Sequence, residues 1–479
     1  MSSIRKNFAY NTFLTVSERF INLLLFPYCA RILGVERFGT VSYVQTIAQY
    51  FGFFAIMGVI TVGAREIAKQ RDKAGLSECF SSMIMLSVIF TVLTLIVYFP
   101  LIFLVDKFES YKELYFLGGL QILFSSFSIE WFYRGIENFK YITIRSLIVK
   151  VVYVILVFIY VRSSDDYVAF WALTVLMVVV NAIINFVYAR KFVSFTIKGL
   201  HLRKYLKSTL SLGAYTILTS MYTTFNIAYL GYVWDDTQVG LYTTAIKMYI
   251  IILGFYSAFT GVMLPRMSSV VESNDSEQFD KLISKSLELL YIISIPMVFF
   301  LFVMAPEIIY VLAGSEYMPA VLLSRIVVPM LFVVGFAQVL SFQIIIPKGY
   351  DTITFKASIL GAVLGLLLNL WLTTQYLAVG TCITVAVTEI AVTAYYYYVI
   401  KKNRIVRFDG RCFLKYLVFS TPFLLICIIT KLFVHNMVLG LVIASFGCMA
   451  YFVISQLYFI KNEQFLIMAG YLGYKKKTI

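Results

Sequence analysis

PYCARILGVERFGTVSYVQTIAQYFGFFAIMGVITVGAREIA, residues 27–68, contains two apolar runs separated by one short charged interruption. The first run reaches back to about residue 8 and ends at Gly34; the second fills 38 to 62 and stops short of Arg65 and Glu66. A helix that crosses the hydrocarbon core of a bilayer needs roughly 20 mainly apolar residues, and each run supplies that length. Two spans joined through Glu36 and Arg37 are therefore expected, and the fold follows from how often this unit recurs.

It recurs along the whole chain. Further apolar runs fall at 79–105, 113–133, 141–161 and 167–189, then at 208–233, 239–263, 284–303, 321–346, 352–375 and 377–400, and finally at 413–434 and 437–460. The pattern predicts an all-α polytopic membrane protein of about fourteen transmembrane helices, arranged six plus six plus two. Composition agrees: 61% of the 479 residues are hydrophobic and 14% charged, with a mean hydropathy of +0.86, against about half apolar and a quarter charged in a soluble domain. A soluble globular fold is excluded, and few residues remain for an extramembrane domain.

The formal charge of +15 lies in the connections between apolar segments. With the N-terminus inside, alternate connections hold 27 Lys and Arg on one side and five on the other (Arg37, Lys107, Lys112, Arg162 and Lys431). Short cytoplasmic loops are enriched in these residues, so both termini are expected in the cytoplasm. This dispersed charge orients a membrane protein and does not form a nucleic-acid patch.

An internal repeat shows at an offset of about 201: Gly39 and Arg65 flank the second predicted helix as Gly240 and Arg266 flank the eighth. A second echo joins YRGIENFKYITIRS at 133–146 to PKGYDTITFKAS at 347–358. Each copy holds an even number of helices, so the copies keep one orientation and are related by a pseudo-two-fold axis along the membrane normal. The expected units are an N-terminal six-helix lobe over 1–200, a second over 201–400, and an additional helix pair with a basic tail over 401–479. Such symmetry favours a central cavity.

A charge near the middle of a span costs at least about 2.5–3.5 kcal/mol on insertion scales, so it usually faces protein or water. Five are deep here: Glu18 and Arg19 in the first helix, Lys150 in the fifth, Lys247 in the eighth and Glu389 in the twelfth. Arg31, Glu130, Arg145, Glu288, Arg325 and Lys356 lie nearer predicted ends, where snorkelling to the interface is expected. Asn22 belongs to a polar stripe with Asn11, Thr15, Glu18 and Cys29; Asn226 belongs to one with Ser211, Tyr215, Thr219 and Tyr222. Such stripes line a wet lumen or join helices by hydrogen bonds. Deep cations in both lobes imply an anionic ligand, with phosphate the natural candidate. Arg19, Lys150, Lys247, Asn22 and Asn226 are thus the candidate substrate-binding residues, and Glu18 and Glu389 the candidates for ion coupling or internal salt bridges. The six cysteines form no CxxC pair, and His201 and His435 lack partners at metal-ligand spacing. No metal site, cofactor or catalytic residue is expected.

With this helix pattern, residues 27–68 together with EWFYRGIENFKYITIRSLI at 130–148 resemble the Wzx-type flippases of lipid-linked oligosaccharides, the polysaccharide-transport branch of the MATE-like exporter superfamily. The resemblance implies an undecaprenyl-diphosphate-linked repeat unit as substrate, moved from the cytoplasmic to the outer leaflet of a bacterial inner membrane for O-antigen, capsule or exopolysaccharide synthesis. It further implies an alternating-access cavity between lobes, a groove for the polyprenyl tail beside the last two helices, and partners among the glycosyltransferases and polymerase of the same pathway. Matching ARILG at 30–34 to related lipid II flippases sets Arg19 on a functional arginine, whereas Leu25 replaces another. Two other classes remain: a small-molecule exporter of the same superfamily, usually without the last pair, and a membrane-embedded polymerase or ligase. The second needs catalytic groups in an outer loop, and the longest one expected, around 304–320, holds only Glu307 and Glu316. No phosphate-binding GxxxxGK[ST] loop occurs, so nucleotide hydrolysis is not the energy source.

Overall fold

The computed structural model describes residues 2–460 except 71, 198, 407 and 409; the basic tail expected at 461–479 lies outside the described residues. Every regular element described is helical. In chain order these are α1 (Ser2–Ile56), α2 (Val59–Ala68), α3 (Lys73–Leu104), α4 (Lys112–Ser125), α5 (Glu130–Gly135), α6 (Phe139–Tyr160), α7 (Tyr167–Ala189), α8 (Leu202–Thr223), α9 (Phe225–Val233) and α10 (Asp236–Glu272). There follow α11 (Ser276–Val303), α12 (Ala305–Ala313), α13 (Ala320–Ile345), α14 (Asp351–Lys402), α15 (Gly410–Phe433) and α16 (Met437–Tyr458). Among the described residues nine helices are long and apolar enough to cross a membrane, or ten when the bent pair of α1 and α2 counts as a span.

Backbone breaks bring this count into line with the sequence reading. Gly34, at φ 71° and ψ 172°, divides α1 into legs 2–33 and 35–56. That backbone conformation is open almost only to glycine. In α14 the break is at Tyr376 and Leu377, the latter with φ 53°, at the joint expected between 375 and 377. Two expected spans are interrupted: α4 and α5 are separated by residues 126–129, and α8 and α9 meet at Thr224. The expectation of about fourteen spans is consistent with these legs. Starts are fixed by side-chain caps, with Asp72, Asp235, Asp275 and Asn436 each accepting the backbone N–H three residues on. Both turns of the second sequence echo contain a left-handed residue two positions before the next helix, Glu137 before α6 and Gly349 before α14.

The two lobes are joined at one end. At the end that holds Gly34, one buried cluster draws residues from both lobes, including Leu33, Tyr43, Tyr115 and Trp171 on one side and Tyr242, Met304, Tyr317 and Cys382 on the other. Towards the opposite end the core divides. Val62, Phe80, Trp131 and Tyr133 form a cluster of the first lobe, and Met267, Leu290, Ile344 and Tyr396 one of the second. The helix that spans this division is α8: its Tyr205 belongs to the first lobe's cluster.

Arg145 corrects one expectation. It does not snorkel; it is 5% exposed, and its Nη2 donates to Glu130 Oε1 at 2.6 Å and to Ser146 at 2.9 Å. Removing one partner of a fully buried pair costs about 3–5 kcal/mol because the other charge is stranded. Since the Glu130 side chain is 34% exposed, Glu130→Ala is expected to cost less, about 2 kcal/mol. A lowered midpoint in a thermal unfolding scan of detergent-solubilised protein checks this, and an unchanged midpoint contradicts it.

Candidate functional site

The symmetry of the repeat reappears as packing at the Gly34 end. A Cβ on Gly39 would lie 1.8 Å from the carbonyl oxygen of Asp236, and one on Gly240 would lie 2.1 Å from that of Val35. At the offset of 201, Gly39 corresponds to Gly240 and Val35 to Asp236, so each glycine meets the counterpart of its own neighbour. That reciprocity is what a two-fold contact requires. Around it Asp236 Oδ2 accepts from Thr40 Oγ1 and Tyr111 Oη, both at 2.6 Å. Arg31 Nη2 donates to the carbonyls of Tyr310 and Val311 at 2.8 and 2.7 Å, and Tyr317 Oη to that of Ala30 at 3.1 Å. The expected loop at 304–320 is thus helical and closes on α1. Glu307 pairs with Lys431 at 3.1 Å, and Glu316 accepts from Val35 N at 3.4 Å.

The other end has a second glycine contact. A Cβ on Gly58 would be 2.5 Å from Thr209 O, and one on Gly213 would be 2.5 Å from Met57 Sδ. The deep charges lie between these two contacts. The first leg of α1 and α10 run antiparallel, and their register can be followed from side chain to side chain. Arg19 packs on Gly254, whose Cβ would be 2.9 Å from the guanidinium Nε. Seven residues further along each helix, Lys247 Nζ stands 4.5 Å from the ring centroids of both Phe26 and Phe38. The break at Gly34 makes this cage, since it folds the second leg of α1 back until the two rings are 5.7 Å apart. A cation between two aromatic faces is held by their quadrupoles without being neutralised. Among the described residues no carboxylate lies within ion-pair distance of Lys247.

The remaining candidates are placed differently. Lys150 in α6 faces Glu18, Nζ to Oε1 at 3.8 Å, so Glu18 pairs across helices and not with its neighbour Arg19. Asn22 is exposed, one turn from Arg19 and from Phe26 on α1. Asn226 is 1% exposed, donates to Tyr222 O at 2.9 Å and accepts from Asn369 Nδ2 at 2.7 Å. From Asn369 the chain of hydrogen bonds passes through Thr373 to Thr381. Asn226 therefore joins helices inside the second lobe, the alternative always open to a polar stripe. Glu389 lies in the same lobe within electrostatic reach of Tyr222, Tyr242, Tyr249 and Tyr396. Its carboxylate has no ion pair among the described residues. The places of Phe26, Phe38 and Asp236 at the lobe contact were not legible, since aromatic residues are everywhere in this sequence and Asp236 sits at a predicted helix start. Among the described residues no group of three or more His, Cys, Asp or Glu side chains could hold a metal ion.

Beside the last pair, Ile292, Ile293, Pro296, Met297 and Phe300 of α11 face Phe423 of α15 and Ser445, Cys448, Met449 and Phe452 of α16 across an apolar groove of about 430 Å³.

Two helical lobes around a pseudo-two-fold contact, with charges held between them, define a membrane protein of the two-lobed transporter class. Residues 4–271 match the family described as polysaccharide biosynthesis protein, and the chain belongs to it. The putative O-antigen transporter of Escherichia coli (strain K12) is 26% identical over 84% of this chain and 98% of its own length. The probable low-salt glycan biosynthesis flippase Agl15 of Haloferax volcanii is 24% identical over 38% of this chain and 39% of its own. Among solved structures, the lipid II flippase MurJ in an inward closed conformation superposes with a TM-score of 0.79, at 15% identity, covering 94% of this chain and 98% of that one. An inward-facing multidrug resistance transporter of the MATE family superposes at 0.63 with 16% identity over 82% and 98%. These likenesses show the fold: a multi-pass helical membrane protein of the MurJ and MATE type.

Proposed function

We propose that the chain flips a polyprenyl-diphosphate-linked oligosaccharide repeat unit from the cytoplasmic to the outer leaflet of a bacterial inner membrane, and that it is a transporter without catalytic chemistry of its own. The observation that carries this reading is the pair of cations at the lobe contact, Arg19 against Gly254 and Lys247 between Phe26 and Phe38. A cation that no carboxylate among the described residues neutralises, at a contact that must open, is suited to a transient anionic ligand. The family and the names of the E. coli and Haloferax relatives support a glycan-lipid as that ligand.

In this reading both termini are cytoplasmic, the Gly39–Gly240 contact is the outer gate and the Gly58–Gly213 contact the inner one. Residues 1–200 and 201–400 are the moving lobes, and 401–479 guides the lipid tail. Lys150 and Asn22 assist Arg19, with Glu18 setting the charge beside Lys150. Glu389 is the candidate for ion coupling, and glycosyltransferases and a polymerase of the same pathway supply and consume the substrate.

The test is surface glycan restored in a strain that lacks its own flippase. The wild-type chain is expected to restore it, and Arg19→Ala and Lys247→Ala, inserted at equal levels, to reduce it at least about tenfold, the loss of one charge-assisted contact. Undiminished export by both variants rejects the proposed role of the cations.

A further inference from the structure

Where α10 and α11 leave the bundle at the end opposite Gly34, they enclose a cleft of about 560 Å³. Its lining changes in character along the helices. Phe259, Met263 and Leu289 form the part nearest the middle of the bundle; Arg266, Lys281 and Lys285 come next; Asp275, Glu277 and Gln278 make the rim beside the turn. Ser286 lines the boundary between the first two layers, 1% exposed, and its hydroxyl has no hydrogen-bond partner among the described residues. A buried hydroxyl is normally hydrogen-bonded, so this one is open to a partner that enters the cleft.

The repeat supplies an independent observation. In the first lobe Arg65 is held by Glu66 at 3.1 Å, and Glu66 also binds Lys69 at 2.8 Å. At the offset of 201 the counterpart of Arg65 is Arg266, but the counterpart of Glu66 is Met267 and that of Lys69 is Val270. The first lobe neutralises its arginine internally, whereas the second leaves it without a carboxylate within ion-pair distance among the described residues.

We infer that this cleft is a docking site, separate from the lobe contact, for the lipid-borne diphosphate and first sugars of the substrate before it enters between the lobes; the inference rests on the flippase reading above. The order of the layers is the order of such a molecule: apolar chain, diphosphate, sugar. Arg266 and Lys281 meet the phosphates, the Ser286 hydroxyl donates to a phosphate oxygen, and Glu277 and Gln278 meet sugar hydroxyls. An ordinary anionic phospholipid shares the phosphate chemistry but leaves the rim unused.

The experiment uses the full-length protein in phosphatidylcholine nanodiscs, with undecaprenyl diphosphate as the probe and native mass spectrometry as the readout. An Arg266→Gln, Lys281→Gln double variant is expected to bind the probe at least about tenfold more weakly, as loss of charge-assisted hydrogen bonds requires. The charge-preserving Arg266→Lys, Lys281→Arg variant is expected to recover most of the binding, which a purely structural role would not predict. Undiminished binding by the glutamine variant overturns the cleft and leaves the flippase reading intact. A wild-type protein that binds no probe overturns the flippase reading itself. Displacement of the probe by phosphatidylglycerol at equal mole fraction assigns the cleft to common headgroups and likewise overturns the inference.

Discussion

Gly39→Ala is expected to hold the lobes apart at the Gly34 end and to lower glycan export severely while leaving insertion unchanged. The added Cβ would sit 1.8 Å from Asp236 O, 2.7 Å from Asp236 C and 2.8 Å from Gly240 N. All three are backbone atoms, so no side chain can swing away, and relief comes only from separating α1 and α10. Overpacking of this kind costs about 1–3 kcal/mol. Laid on the closed state alone, that shifts the ratio of closed to open forms about 5- to 150-fold. Gly240→Ala, which would meet Val35 O at 2.1 Å, should act in the same way, and the two together should fall short of additive because either one already separates the contact. Spin labels at the exposed positions Glu36 and Asp235 are expected to move apart in both variants. Gly52 and Gly261, with nothing within 4 Å of a new Cβ, serve as controls expected to be silent. Unchanged label distances with full export in Gly39→Ala would falsify the gate.

Which features the sequence exposed follows from whether a feature is local. Spans were legible because length and hydropathy are local, and the break at Gly34 lies where glycine and charged residues, and that at Leu377 where the polar residues Thr373, Thr374 and Gln375, interrupt apolar runs. The Gly39–Gly240 contact was half legible: the repeat marked both glycines, but only packing reveals that each lies against the other lobe's backbone. Side-chain partners were not legible. Glu18 and Arg19 diverge by about 100° on a helix, and nothing local says that α6 brings Lys150 to Glu18 while α10 brings a glycine to Arg19. Depth counted from a helix end misplaced Arg145 because it ignores the neighbouring helix that covers the side chain. The partners of Asn226 were not legible for the same reason, a polar stripe being identical in sequence whether it faces water or another amide.

Deleting the chain after about residue 405 is expected to abolish export while the two lobes remain inserted. α15 and α16 are held to the second lobe by Lys431, bonded to Glu307 and to Val303 O, by Tyr416 donating to Glu288 at 2.7 Å, by Phe413 packed on Tyr291 and Phe332, and by the apolar contacts of the groove. The α11 face uncovered by the deletion, Ile292 to Phe300, is apolar, and lipid chains replace it at little cost. Two carboxylates lose partners: Glu288 its Tyr416 hydrogen bond, and Glu307, at 8% exposure, its lysine; a stranded buried carboxylate is destabilising, so the deletion is best made with Glu307→Gln. Export should fail for a different reason. Each CH₂ moved from an apolar to a polar environment costs about 0.8 kcal/mol, so a polyprenyl chain of dozens of carbons stays in lipid or in an apolar groove while its headgroup crosses. The groove of about 430 Å³ between α11 and the last pair is the apolar surface available for that purpose. Ser445→Trp, which fills the groove without removing either helix, should reproduce the loss, and this second variant separates a blocked path from a damaged fold. If both the truncated protein and Ser445→Trp are stably inserted and export glycan at the wild-type rate, the tail does not use this groove and a small-molecule exporter becomes the better reading of the fold.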